Sequence, residues 1–149
     1  MRGKLLLALD RFEPGQAAAD FTVGLATMSR SDVQVLHVRE LPASLRVPPL
    51  ESATEAEVLV EETVRRLQTA GIAAEGTACA DREANVARRI VDGAAGRRCS
   101  AIVLGSLRLK RFRSWMGHGT RERVLRLSPL PVIVTPPALA IDQRSAAHL

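Results

Sequence analysis

Ala101-Ile-Val-Leu-Gly-Ser106 decides the fold: four apolar residues in a row, two of them β-branched, stopped by a glycine and a serine. A run this short and this uniformly apolar reads as a strand buried on both faces, the kind found in parallel sheets covered by helices. Lys4-Leu-Leu-Leu-Ala-Leu9, ended by Asp10, has the same character. Val33-Gln-Val-Leu-His-Val38 and Val132-Ile-Val-Thr135 are short and β-branched, and Ile72 to Cys79 is a weaker, alanine-rich fifth strand.

Helical periodicity fills the intervals. Pro14 suits a first helical turn, and Ala18, Phe21, Leu25 and Met28 recur at spacings of three and four, as one buried face would. Arg39 to Ser52, with Pro42, Pro48 and Pro49 and no periodic apolar face, reads as a mobile surface loop. Thr54 and Glu57 have capping-box spacing ahead of a Val60, Val64, Leu67 stripe, and Gly71 supplies a left-handed stop. Asp81 is placed to cap a helix whose inner face is Ala87, Ile90, Val91 and Ala94. Val124, Leu125 and Leu127 mark a short helix that Ser128-Pro-Leu-Pro131 breaks.

The order is β-α-β-α-β-α-β-α-β, with no internal repeat. Right-handed crossovers then give a doubly wound, five-stranded parallel sheet with helices on both faces, an α/β fold. One such domain is expected over residues 1–137, followed by a tail, 138–149, that lacks periodicity and is expected to be mobile.

Length and composition agree. One hundred and forty-nine residues suit one core, and 46% hydrophobic against 25% charged residues argues against disorder throughout. No apolar run approaches the roughly 18 residues of a membrane helix. Leu5 to Leu9 is cut off by Asp10 too early for a secretory signal, so a cytoplasmic protein without a membrane contact is expected. Cys79 and Cys99 are too few for a disulfide framework, and His37, His118 and His148 form no zinc-type pair. An aromatic content of 3% removes the stacking platform of most single-strand nucleic-acid binders.

Charge is unevenly spread. Between Leu107 and Leu127 stand Arg108, Lys110, Arg111, Arg113, Arg121, Arg123 and Arg126 against Glu122 alone, a net of +6, while the rest of the chain nets −1. A local anion site, or an edge facing an acidic partner, accounts for that concentration better than general solubility. Glu51, Glu55, Glu57, Glu61 and Glu62 form an acidic counterpart that a dimer mate would supply. Trp115, with Phe112 and Met116, adds an apolar patch that either packs under the basic loop or meets another subunit.

In a doubly wound sheet, ligands gather beyond the strand ends where the winding reverses, here Leu9-Asp10 and Leu104-Gly105-Ser106. Gly105 lets the backbone approach a ligand with no Cβ in the way. The basic loop ends at Gly117-His118-Gly119-Thr120, read as the opening of a helix whose amides would bind phosphate oxygens. The bland alternatives are a turn at Asp10 and Gly105 and a plain helix cap at Thr120.

The opening strand ending in Asp10, Val35-Leu-His-Val38, Ile102-Val-Leu-Gly-Ser106 and Ser128-x-x-Pro131-Val-Ile-Val134, in that order and spacing, resemble the universal stress protein family over nearly the whole chain. That resemblance implies the adenine nucleotide alpha hydrolase-like sheet, order 3-2-1-4-5, pairing of two copies through the last strand, and binding of ATP or another adenine nucleotide, with Mg accompanying it. Carried onto this chain, the nucleotide-binding positions are Ala8, Leu9, Asp10, Val38, Leu104, Gly105, Arg108, Gly119 and Thr120.

Nucleotide-binding members carry Gly-x-x-Gly, nine residues, then Gly-Ser or Gly-Thr. Gly105 fits the first glycine, Arg108 replaces the second, and Gly119-Thr120 fits the final pair only with one extra residue in the loop. A non-glycine retained in a left-handed conformation costs about 1–2 kcal/mol. Each charge-assisted hydrogen bond from the basic residues would offset about 1.5–3 kcal/mol.

Two function classes follow. The first is a small, dimeric stress-response binding module holding an adenine nucleotide at the tips of the first and fourth strands, with at most slow hydrolysis, because no nucleophile–base–orienter set or intact Walker loop is present. The alternative is a nucleotide-free dimeric scaffold whose basic 108–126 segment docks an acidic protein. Direct nucleic-acid binding ranks third, for want of a reading helix, and an Asp10-dependent hydrolase fourth.

Overall fold

Lys4–Leu9 forms β1, the middle strand of a five-stranded sheet ordered β3-β2-β1-β4-β5 in which every neighbouring pair is parallel. The computed structural model describes residues 2–11, 15–105 and 114–135. After β1 come α1 (Gly15–Ser29), β2 (Asp32–Leu41), α2 (Ala53–Thr69), β3 (Ala74–Arg82), α3 (Glu83–Gly96), β4 (Ala101–Leu104), α4 (Ser114–Leu127) and β5 (Val132–Val134). Direction and layering are those expected from the apolar runs, and the strand order is the one the family resemblance implies.

Alternation along β1 divides the core. Leu5, Leu7 and Leu9 face one side with Val33, Val35 and Val103, where α1 and α2 cover them through Ala18, Ala19, Ala26, Val60 and Leu67. Leu6 and Ala8 face the other with Leu36, Val38, Ile102 and Leu104, under Val86, Ile90 and Val91 of α3 and Val124 of α4. Leu6, Leu7, Ile102 and Val103 are wholly buried, as a strand clad on both faces requires. Cys99 belongs to the second layer, and burial pushes its thiol up from the ordinary range.

Several local expectations need correction. On α1 the buried face is Ala18, Ala19, Thr22 and Ala26, whereas Phe21 and Met28 are exposed, Met28 to 83%. Small residues let this helix lie close to the sheet, and Thr22 disposes of its hydroxyl on the Ala18 carbonyl at 2.7 Å. The expected capping box shifts two residues upstream: Ser52 accepts from the Glu55 amide at 3.0 Å, and Glu55 accepts from the Ser52 amide at 3.0 Å. Those hydrogen bonds hold the Glu55 carboxyl below its usual range, so this part of the cap is present at neutral pH and fades as pH falls and Glu55 protonates. Replacing Ser52 with alanine is therefore expected to cost about 1 kcal/mol. The Thr54→Ala change should stay within about 0.5 kcal/mol of wild type. Chemical denaturation of the two variants checks the assignment.

Gly71, at φ +87, is the left-handed stop after α2. Asp81 does not cap α3; it is the penultimate residue of β3, and its carboxylate instead accepts from the Arg82 amide, Asn85 and Arg89. Strands β2 and β3 run to Leu41 and Arg82, three residues beyond the expected ends, because their register continues through Leu41↔Arg82. The helix after the basic loop is longer than expected and begins at Ser114. The 138–149 tail and Pro14 lie outside the described residues.

Candidate functional site

The chain leaves the ends of β1 and β4 in opposite directions. β1 and β4 are neighbours with Ala8 level with Leu104, yet β1 feeds α1 on one face of the sheet and β4 feeds α4 on the other. Two connections that part in this way leave a crevice beyond the strand ends. Asp10 and Gly105, the first residues past β1 and β4, are both half-exposed at its mouth. Leu9 is level with His37 on the other side, which puts Val38 beside the Asp10 end of β1.

The sequence-derived site residues divide accordingly. Ala8, Val38 and Leu104 share the layer covered by α3 and α4 and are buried, Val38 and Leu104 to 7% exposure. Leu9 points to the opposite layer. Arg108 and Ser106 lie outside the described residues. Gly119 and Thr120 are half-exposed and sit in the second turn of α4, because the helix starts at Ser114 and not at the 117–120 stretch. Their amides are thus inside the helix, whose start lies upstream of the expected 117–120 stretch.

A buried polar assembly beside this mouth was not anticipated. His37 is 3% exposed, and one imidazole spans two elements: Nδ1 lies 2.9 Å from the Leu9 carbonyl oxygen, and Nε2 lies 2.7 and 2.9 Å from the two oxygens of Glu51. A carbonyl only accepts, so Nδ1 carries a proton. Nε2 must then either donate to a carboxylate or accept from a carboxylic acid. In both cases the pair holds two protons and is neutral overall, which is how a buried acid avoids the cost of an unpaired charge. Arg39 donates to the Glu51 carbonyl at 3.2 Å, and the Arg11 guanidinium donates to the Leu50 carbonyl. The end of the segment expected to be a mobile loop is therefore tied to β1 and β2, and Glu51 is not part of the acidic surface.

Acidic groups gather on one side of the mouth. Glu40, at the exposed end of β2, has its carboxyl pushed above the ordinary range, first by the protein packed round it and then by Glu83 and Asp10, with His37 pulling the other way. Carboxylates thus concentrate at the β1–β2 side. The basic residues of the 107–127 stretch follow β4. A mouth flanked by carboxylates favours hydroxyl or amino donors on that side. Among the described residues no group of three His, Cys, Asp or Glu side chains is placed to hold a metal ion, and no helix is long and apolar enough to cross a membrane.

The family model for the universal stress protein family matches residues 1–136. Three solved structures share the architecture. A protein of that family from Burkholderia pseudomallei is 24% identical, with a TM-score of 0.71 and coverage of 91% of this chain and 96% of its own. The universal stress protein from Archaeoglobus fulgidus in complex with dAMP is 23% identical, with a TM-score of 0.67 and coverage of 90% and 98%. A universal stress protein in complex with cAMP is 15% identical, with a TM-score of 0.66 and coverage of 91% and 98%. At these identities the likeness is one of fold. No curated protein matches the chain.

Proposed function

The chain belongs to the universal stress protein family, and on that premise we propose that it is a small, cytoplasmic stress-response protein that binds an adenine nucleotide in the crevice between the tips of β1 and β4. The observation that carries this reading is the parting of the chain at two adjacent strand ends, with Asp10 and Gly105 half-exposed there. Two relatives of the same fold are complexes with dAMP and cAMP, which supports an adenine nucleotide as the occupant. The polarity of the mouth orients it: ribose hydroxyls and the adenine amino group donate toward Asp10, near Val38, and phosphates lie toward the cations that follow β4. In this reading Ala8, Leu9 and Leu104 form the floor and Gly105 meets the phosphates; Arg108 is the further phosphate contact proposed from the sequence, and Gly119 and Thr120, their amides engaged inside α4, offer only their half-exposed outer surface. Mg arrives on the phosphates of ATP.

The protein is a binding module with at most slow hydrolysis. Two copies pair through β5, the sheet edge, where Val134 is exposed and Val132 and Ile133 are half-buried. Native mass spectrometry of the freshly purified chain tests both points, with a dimer retaining an adenine nucleotide as the expected result. The second reading is favoured by one residue, Arg108, which stands where the motif has glycine. In that reading the dimer is empty and its basic segment docks an acidic protein. An empty dimer that also fails to bind added ATP, ADP, AMP or cAMP would replace the first reading with the second.

A further inference from the structure

We propose that His37 and Glu51 are positioning residues for the nucleotide site, a buried latch that fixes the β1 tip and the 42–50 segment to one another so that nucleotide binding and the placement of that segment are linked. This rests on the nucleotide-binding reading above. His37 lies on the Leu9 layer, and its effect passes through the Leu9 carbonyl to Asp10, the next residue.

The geometry supports a rigid coupling. One planar ring holds the Leu9 carbonyl at 2.9 Å and a carboxylate at 2.7 Å, both ends being buried. Two cations brace the same junction, Arg11 on Leu50 and Arg39 on Glu51. Residue 51 is in turn fixed to α2, whose capping box begins at the next residue, Ser52. Leu9, Arg11, Leu50 and Glu51 therefore move as one body. The tethered segment leaves β2 at Leu41 and carries Leu45, Val47 and Leu50 exposed to solvent, with Pro42, Pro48 and Pro49 restricting its backbone. An apolar pair at 37 and 51 would close the same core at no greater cost. What the polar pair adds is direction, since it fixes where the Leu9 carbonyl points.

Coupling of this kind is reciprocal. A nucleotide that orders Asp10 slows opening of the 42–50 segment, and loosening the segment weakens the nucleotide. Deleting one buried hydrogen-bonded group from the chain is expected to cost about tenfold in affinity.

The test uses the full chain, ATP as probe, and the variants Glu51→Ala and Glu51→Gln. Titration calorimetry should give an ATP Kd about tenfold weaker in E51A, and hydrogen exchange without nucleotide should quicken over both 5–11 and 42–52. In E51Q the carboxamide offers either an N–H or an oxygen to Nε2, so affinity should stay within about threefold of wild type and exchange should be slow. Adding ATP should slow exchange over 42–52 in wild type and E51Q only. If E51A does not fold, Glu51→Asp, which keeps the carboxyl group but falls one methylene short, makes the same comparison with E51Q. Unchanged exchange over 5–11 in E51A would overturn the latch whatever binds. Failure of wild type to bind ATP, dAMP or cAMP would overturn the nucleotide reading and with it the latch's role at that site, while exchange still reports whether the two segments are joined.

Discussion

An arginine at position 105 is expected to weaken ATP binding at least a hundredfold while leaving thermal unfolding within a few degrees of wild type. The fold has little need of residue 105. The carbonyl of Leu104 already closes the sheet, accepting from the Thr135 amide at 2.9 Å and the Thr135 hydroxyl at 3.3 Å, and Gly105 is half-exposed beyond it. A side chain there adds bulk beside the mouth between β1 and β4, where Gly105 is half-exposed. The charge makes the sign informative. Adding a cation near phosphates would on electrostatic grounds tighten binding, by as much as about 1.5–3 kcal/mol for one charge-assisted hydrogen bond. A hundredfold loss, about 2.8 kcal/mol, can then only come from exclusion of the ligand, and Gly105→Ala should fall in between. Equal or tighter ATP binding by the arginine variant, measured by calorimetry, would place the pocket elsewhere.

What the sequence reveals follows the strength of local physical constraint. β1 and β4 are apolar at nearly every position because both faces are covered, so Leu5 to Leu9 and Ala101 to Leu104 announce themselves without alignment. Their alternation with helices gives a parallel sheet, and the strand order implied by the family resemblance then puts the crevice at Asp10 and Gly105. Weaker constraints mislead. On α1 the large apolar residues Phe21 and Met28 invite burial, but the helix packs through Ala18, Ala19, Thr22 and Ala26, a stripe with little hydrophobic contrast to its flanks. The capping box has the spacing of both Ser52/Glu55 and Thr54/Glu57, and only the fold distinguishes them, because Ser52 is extended (φ −81, ψ 162) and the helix begins at Ala53. The His37–Glu51 pair is the largest omission. His37 sits within an apolar run and Glu51 follows two prolines, 14 residues away, and nothing in either neighbourhood signals a partner. Long-range polar pairs of this kind leave no periodicity to read.

Valine at position 76 is expected to destabilise the protein by about 3 kcal/mol, lowering the melting temperature by roughly 6–12 °C. Gly76 of β3 is level with Val35 of β2 and, though exposed itself, lies against Val60 and Val64 of α2. A Cβ there would stand 2.3 Å from Cγ1 of Val60 and 2.8 Å from Cγ2 of Val64, distances that no carbon pair tolerates. Both neighbours are β-branched and stiff about χ1, so neither swings aside. The helix must lift instead, and it cannot lift freely, because Leu67 on the same stripe is wholly buried and Ser52 pins its start. Strand propensity pulls the other way by at most about 1 kcal/mol, since valine suits a pleated surface better than glycine does. Steric overlap wins that comparison. Alanine meets the same two methyl groups and should also destabilise, whereas Gly24→Ala in α1, where a Cβ meets nothing within 4 Å, should gain about 1 kcal/mol. The decisive measurement is a double-mutant cycle: Val60→Ala removes the nearer methyl, so it should cost less in the Gly76→Ala background than in wild type. Additive free energies at these touching positions would mean that α2 and β3 separate at no cost, and the packing account of Gly76 would be wrong.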